Sequence, residues 1–172
     1  MKTTTMLSAA TAALLLNACA GTTGGGPAAQ ATLEPRSGSQ VAGSVTFVAH
    51  DDKLRVEARV SGLTPGDHGF HIHESGDCSA PDASSAKGHF NPAGKAHGHQ
   101  GSEHHAGDMP NLVADASGNA NLVAELSQLS LAEGSSGILG RSVVIHADPD
   151  DYRSQPAGNS GKRVACGTIR LR

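Results

Sequence analysis

The sequence predicts an all-β domain, an antiparallel sandwich or barrel interrupted by two long irregular loops. Apolar and polar residues alternate in short runs, most clearly where Leu54, Val56, Ala58 and Val60 oppose Arg55, Glu57 and Arg59. A period of two marks a half-buried strand. Aromatic side chains are scarce, with three Phe, one Tyr and no Trp, while Gly numbers 22. The core is therefore expected from Val, Leu, Ile and Ala between frequent turns. The alternation also disappears over 74–108 and 148–162. An irregular segment of that length inside a compact domain is either misassigned or functional, and the histidines and cysteine of the first favour function. A chain of 172 residues suits one such domain with additions at its ends.

Residues 1–18 read as a secretory signal: Lys2 supplies the positive start, and Met6 to Leu16 an apolar run too short to span a bilayer. Three cysteines, Cys19, Cys78 and Cys166, leave one over in an exported protein. Leu16-Asn17-Ala18-Cys19 resembles the bacterial lipobox, whose cysteine is lipidated and starts the mature protein. Cleavage after Ala18-Cys19-Ala20, a small-residue site, is the rival reading. With Cys19 lipidated, Cys78 and Cys166 would form the one disulfide, which the exported compartment favours. Gly21 to Gln30, rich in Gly, Thr, Ala and Pro, reads as flexible, so that 19–39 is the lipidated tether. The folded domain is expected to begin between Leu33 and Gln40 and to occupy 40–172.

Within it the first strand covers Val41–Val48, and Asp51-Asp52 turns into the Leu54–Val60 strand. Thr64-Pro65-Gly66-Asp67 turns into a strand bearing His71 and His73. Strands resume at Leu112–Asp115 and Asn121–Leu126, joined by Ala116-Ser117-Gly118-Asn119, a favourable turn. Gly137–Ala147 is another strand, ending in His146, and Arg163–Leu171 is the last. One helical turn is expected within Leu126–Ser135.

Two residues apart on a strand, His71 and His73 face the same side and can offer imidazoles to one ion. A lone His-x-His is as readily a pair of solvated side chains, but further candidates follow in order. In the first loop His89, His97, His105 and Asp108 stand at gaps of eight, eight and three, spacing that suits a loop wrapped around an ion. Three imidazoles and a carboxylate form a closed tetrahedral set of the kind zinc prefers. His71, His73 and His146 supply nitrogens for a second ion. If His89 serves both, bridging as an imidazolate, the second site has four nitrogens, which favours Cu(II).

Five segments carry a closer resemblance. They are Gly69-Phe70-His71-Ile72-His73, Gly88-His89-Phe90-Asn91-Pro92, His105-Ala106-Gly107-Asp108, Gly140–His146 and Gly158–Gly167. Together and in this order they resemble the copper/zinc superoxide dismutase family, from about Gln40 to the C-terminus. The resemblance implies a Greek-key β-barrel or sandwich of immunoglobulin-like architecture. It implies copper on His71, His73, His89 and His146, and zinc on His89, His97, His105 and Asp108. It makes Cys78–Cys166 the disulfide, Asp150 the aspartate that hydrogen-bonds a ligand of each metal, and Arg163 the guanidinium beside copper. The expected activity is disproportionation of superoxide, with His89 and Arg163 catalytic, in the cell envelope. A homodimer is an assembly that the resemblance allows without requiring.

The remaining histidines have plainer readings. His68 resembles a buried histidine that ties backbone together, His50 is solvated at a strand end, and His99 and His104 are exposed. His104 competes with His105 as a ligand, and the His-x-Gly-Asp pattern selects His105. The formal charge of −3 and the lack of a basic tract exclude a nucleic-acid partner. Membrane contact is expected only through the N-terminal lipid. A zinc hydrolase would need an open metal position and a general base, for which Glu74 is the only neighbour. A copper-delivery module is the other rival. In its family form such a module lacks a copper ligand or the arginine, and this chain keeps all of them. Arg163 would guide the substrate anion, with Lys162 and Lys87 the nearest additional cations.

Overall fold

A computed structural model describes Met1 and residues 28–172. The signal segment, Cys19 and the first part of the tether lie outside the described residues. The chain forms β1 (Ala28–Pro35), β2 (Ala42–His50), β3 (Lys53–Ser61), β4 (Gly66–His68), β5 (Phe70–His73), β6 (Leu112–Ala114), β7 (Ala120–Leu126), β8 (Ser142–His146) and β9 (Arg163–Leu171). They line up in one ladder of order β4-β6-β7-β3-β2-β1-β9-β8-β5, antiparallel throughout. Its two ends, β4 and β5, are separated in sequence by Gly69 alone. The ladder therefore curls back on itself into the nearly closed, Greek-key antiparallel barrel, and the edge problem of an open sheet is largely removed.

Alternation builds the core as expected. On β3, Leu54, Val56, Ala58 and Val60 point inward with Val45 and Phe47 of β2, while Phe70, Ile72, Val143, Ile145, Ala165 and Ile169 close the other side. The expected hairpin turns at 51–52 and 116–119 connect β2 to β3 and β6 to β7.

Three expectations need correction. The domain does not begin at residue 40: β1, assigned to the tether, sits in mid-ladder between β2 and β9. Its inward positions are Ala29, Ala31 and Leu33, all buried. Alanine carries little strand preference, so pairing on both sides rather than local propensity makes this a strand. The strand expected from Gly137 starts only at Ser142, because Gly137–Arg141 forms a turn closed by Arg141 N–H donating to Ile138 O at 3.1 Å. No helical turn forms in Leu126–Ser135: Leu126 ends β7 and the chain after it is irregular; among the described residues the helical element is a 3-10 turn at Ser84–Ala86.

Both long loops lie over the outer face of β5 and β8. The first is pinned there by the Cys78–Cys166 disulfide, with Cα atoms 5.7 Å apart. Ala83 and Ala86 pack beside it on Val144 and Cys166 in a small second cluster. Apolar burial and a covalent tie thus order a segment that has no ladder of its own.

Candidate metal centre

On β5 the inward side chains are Phe70 and Ile72, so His71 and His73 project to the outer face beneath the loops. β8 brings His146 to the same face, and a register shift after Ile145 sets it opposite Arg163 at the start of β9. The first loop returns as a strand-like crossing: His89 bridges to His73, and Asp108 to His71. The donor atoms of His71, His73, His89 and His146 then lie within 4.8 Å of one another, as do those of His89, His97, His105 and Asp108.

Outer partners decide which nitrogen faces inward. His71 Nε2–H donates to Asp150 Oδ2 at 2.8 Å, His73 Nδ1–H to Lys87 O at 2.9 Å, and His146 Nδ1–H to Gly161 O at 3.3 Å. The opposite nitrogens, His71 Nδ1, His73 Nε2 and His146 Nε2, are buried without a hydrogen-bond partner, and so is His89 Nε2. Four converging lone pairs with no proton donor between them are costly unless a cation receives them. That donor set fits a nitrogen-preferring ion such as copper.

The second cluster is organised by Asp108. Its Oδ1 lies 2.8 Å from His89 Nδ1 and 3.3 Å from His105 Nδ1. Its Oδ2 accepts the backbone N–H of His105 at 2.9 Å and of Gly98 at 3.2 Å. His97 Nδ1 is 3.0 Å from Oδ2 but in no hydrogen-bonding geometry with it, while its Nε2–H donates to Asp150 Oδ1 at 2.8 Å. Three imidazole nitrogens around one carboxylate fit zinc. Asp150 is buried between the clusters and bonds one ring of each. Gly158 lies against it at φ +66°, where a Cβ would collide with the Asp150 carboxylate.

Electrostatics agree with this geometry. Burial, then the neighbouring imidazoles, holds His71 and His73 well below the usual histidine value. Burial also lowers His146 to about 4, and the Arg163 cation adds to the effect at His73 and His146. For Asp108 burial alone would raise the value. The hydrogen bond from His89 and the charges of His89, His105 and His97 outweigh it and hold the carboxyl at about 2. Nitrogens that stay neutral and a carboxylate that stays ionised are what cation binding requires.

The seven ligands named from the sequence, His71, His73, His89, His97, His105, Asp108 and His146, come together here with Asp150, while Cys78 and Cys166 form the disulfide that pins the loop. Arg163 is beside it, half-buried, its guanidinium donating to Ala83 O at 2.7 Å and Lys87 O at 2.6 Å. Lys87 O also accepts from His73, so one carbonyl ties the guanidinium to the cluster. His105 is buried in the site, whereas His104 turns away to Ser102 O and Gln128. His99 packs edge-on to Tyr152, with ring centroids 4.8 Å apart. His68 is buried between His146 O at 2.9 Å and Thr64 O at 2.8 Å. Sequence reasoning missed Asn111, Tyr152 and Gln155. Asn111 clamps Asp150 through both backbone groups, with its Nδ2–H donating to Asp150 O and its Oδ1 accepting Asp150 N–H, each at 3.0 Å. Tyr152 Oη accepts the Asn111 N–H at 2.7 Å. The available signal was that Tyr152 is the sole tyrosine.

A nearly closed β-barrel carrying two adjoining donor clusters that share one histidine defines a protein built to hold two cations side by side. The family model for copper/zinc superoxide dismutase (SODC) matches residues 41–169. This chain belongs to the copper/zinc superoxide dismutase family. It is 44% identical over 137 residues to superoxide dismutase [Cu-Zn] 2 of Aquifex aeolicus, covering 76% of this chain and 80% of that protein. It is 41% identical over 169 residues to superoxide dismutase [Cu-Zn] of Deinococcus radiodurans, covering 91% and 90%. The crystal structure of the clock protein EA4 superimposes with a TM-score of 0.76 at 39% identity, covering 84% of this chain and 94% of that one.

Proposed function

We propose that this chain disproportionates superoxide, converting two superoxide ions and two protons into oxygen and hydrogen peroxide. His71, His73, His89 and His146 are the copper ligands, and His89, His97, His105 and Asp108 the zinc ligands. The observation that carries the reading is His89. Its Nε2 faces three partnerless imidazole nitrogens, and its Nδ1 faces Asp108. Bound copper supplies a one-electron couple that can take an electron from one superoxide and return it to another, while zinc has no redox chemistry of its own.

The remaining work belongs to the protein. Arg163 presents a fixed positive fork beside the copper-side cluster and docks a small anion. His89 Nε2 is the position at which an exchangeable proton can be held within reach of the product. Asp150 keeps His71 and His97 in the tautomers that aim their lone pairs inward. Purified protein loaded with copper and zinc is expected to remove superoxide far faster than the metal-free protein. Removal no faster than by the same copper free in solution would sink the proposal.

Lipidation of Cys19 would place the domain at the periplasmic face of a bacterial membrane, where it would protect the envelope from oxidants. The lipid would be the membrane contact: among the described residues no helix is long and apolar enough to cross a bilayer.

A further inference from the structure

The seven ligand candidates differ in what holds their backbone. His71, His73 and His146 lie on β5 and β8, within hydrogen-bonded ladders. His89 and Asp108 cross β5 as isolated bridges. His105 is held within its own turn, by Asp108 N–H donating to its carbonyl and by the Asp108 side chain. His97 stands in irregular chain, where a backbone N–H and C=O need partners from elsewhere.

One side chain supplies both. Gln155, from the second loop, accepts the His97 N–H on Oε1 at 2.8 Å and donates from Nε2 to the His97 carbonyl at 2.9 Å. A primary amide offers a donor and an acceptor side by side, so it mimics a strand neighbour one residue long. Asp150, five residues earlier on the same loop, accepts from the His97 ring at 2.8 Å. Backbone and ring of His97 are therefore both held by residues 150–155, and no comparable clamp from this loop reaches His89, His105 or Asp108.

We infer that Gln155 is a positioning residue for the zinc-side cluster: it fixes the His97 backbone so that Nδ1 points at Asp108, coupling zinc affinity to the conformation of the second loop. The inference rests on the reading of His97 as a zinc ligand. Gln155 reaches no donor atom itself, so it acts only through His97.

The test uses the purified, disulfide-intact, metal-free protein, with zinc affinity measured by competition against a chromophoric chelator. Gln155→Met, close in shape but without donor or acceptor, is expected to weaken zinc binding about tenfold, the lower end of what losing a ligand's outer partner costs. Gln155→Glu, which sets an oxygen against the His97 carbonyl, is expected to lose at least as much. The metal-free melting temperature should stay near wild type in both variants, while the rise in melting temperature on adding zinc shrinks. Zinc affinity within twofold of wild type in Gln155→Met would overturn the proposal. So would a lowered metal-free melting temperature with an unchanged zinc-induced rise, which is the mark of a merely structural role. Asp108→Ala is the control for the underlying reading. If it too binds zinc like the wild type, the zinc-side assignment fails and the role of Gln155 fails with it.

Discussion

Arg163 shows how much one side chain is asked to do. Its guanidinium is anchored by two carbonyls of the disulfide-bearing loop, so its charge is fixed relative to His73 and His146 rather than swinging in solvent. Arg163→Glu should leave bound copper and zinc near wild-type levels yet slow superoxide removal by roughly tenfold or more. The loss should exceed that of Arg163→Gln, because repulsion is added to lost attraction. Raising ionic strength should slow the wild type and leave the charge-reversed variant less affected or faster. Full activity in Arg163→Glu with both metals bound would move the anion site to Lys162 or Lys87. The buried imidazoles make a second residue-level prediction, on pH. In the folded metal-free protein His71 and His73 titrate well below 6.5 and His146 at about 4, while in the unfolded chain each titrates near 6.5. Between those values the unfolded chain binds more protons, so falling pH favours unfolding. Denaturant titrations of the metal-free protein should show constant stability above neutrality and a decline from pH 6.5 towards 4, at about 1.4 kcal/mol per pH unit for each such group. A flat profile across that window would contradict the burial of these rings.

At the scale of elements, the first loop is the part whose order is conditional. Its anchors are the disulfide, the small Ala83–Ala86 cluster, the ligand side chains, Phe90 and Met109 in the main core and a few backbone bonds to β5, whereas β5 has in addition its own ladder to β8. The metal-free, reduced protein should therefore melt well below the loaded, oxidised form. The disulfide contributes about 2–4 kcal/mol and zinc adds by mass action. Asp108→Ala should lose zinc while amide exchange in β5 stays slow; equal melting temperatures for the two forms would argue against this. The same contrast explains what could be read in advance. β3 announced itself because Val and Leu alternate with Arg and Glu, and His71 and His73 because a strand sets alternate residues on one face. β1 did not, since Ala-Gln-Ala-Thr has no local preference and becomes a strand only between β2 and β9. The ligands in the loop were legible through spacing and resemblance. The outer partners of His73, His146 and His97, which are Lys87 O, Gly161 O and Gln155, were not, because they depend on the path of the backbone and not on residue type.

For the whole molecule, β1 begins at Ala28, nine residues after Cys19 in the sequence. If Cys19 carries lipid, the wild type should fractionate with membranes, since the several acyl chains of the bacterial modification hold where one would not, and Cys19→Ser should not be processed that way. Mature protein beginning at Gly21 and free in the periplasm would exclude the anchor. The position of Tyr152 has a further consequence at this scale. The chain has no tryptophan and a single tyrosine, and that phenol is joined to Asn111 at the clamp on Asp150. Near-ultraviolet emission and dichroism from tyrosine thus come from one point, the junction of the second loop with the barrel, and far-ultraviolet dichroism reports the strands. The molecule carries its own optical probe of loop closure, so zinc removal should alter the tyrosine signal while the strand signal holds.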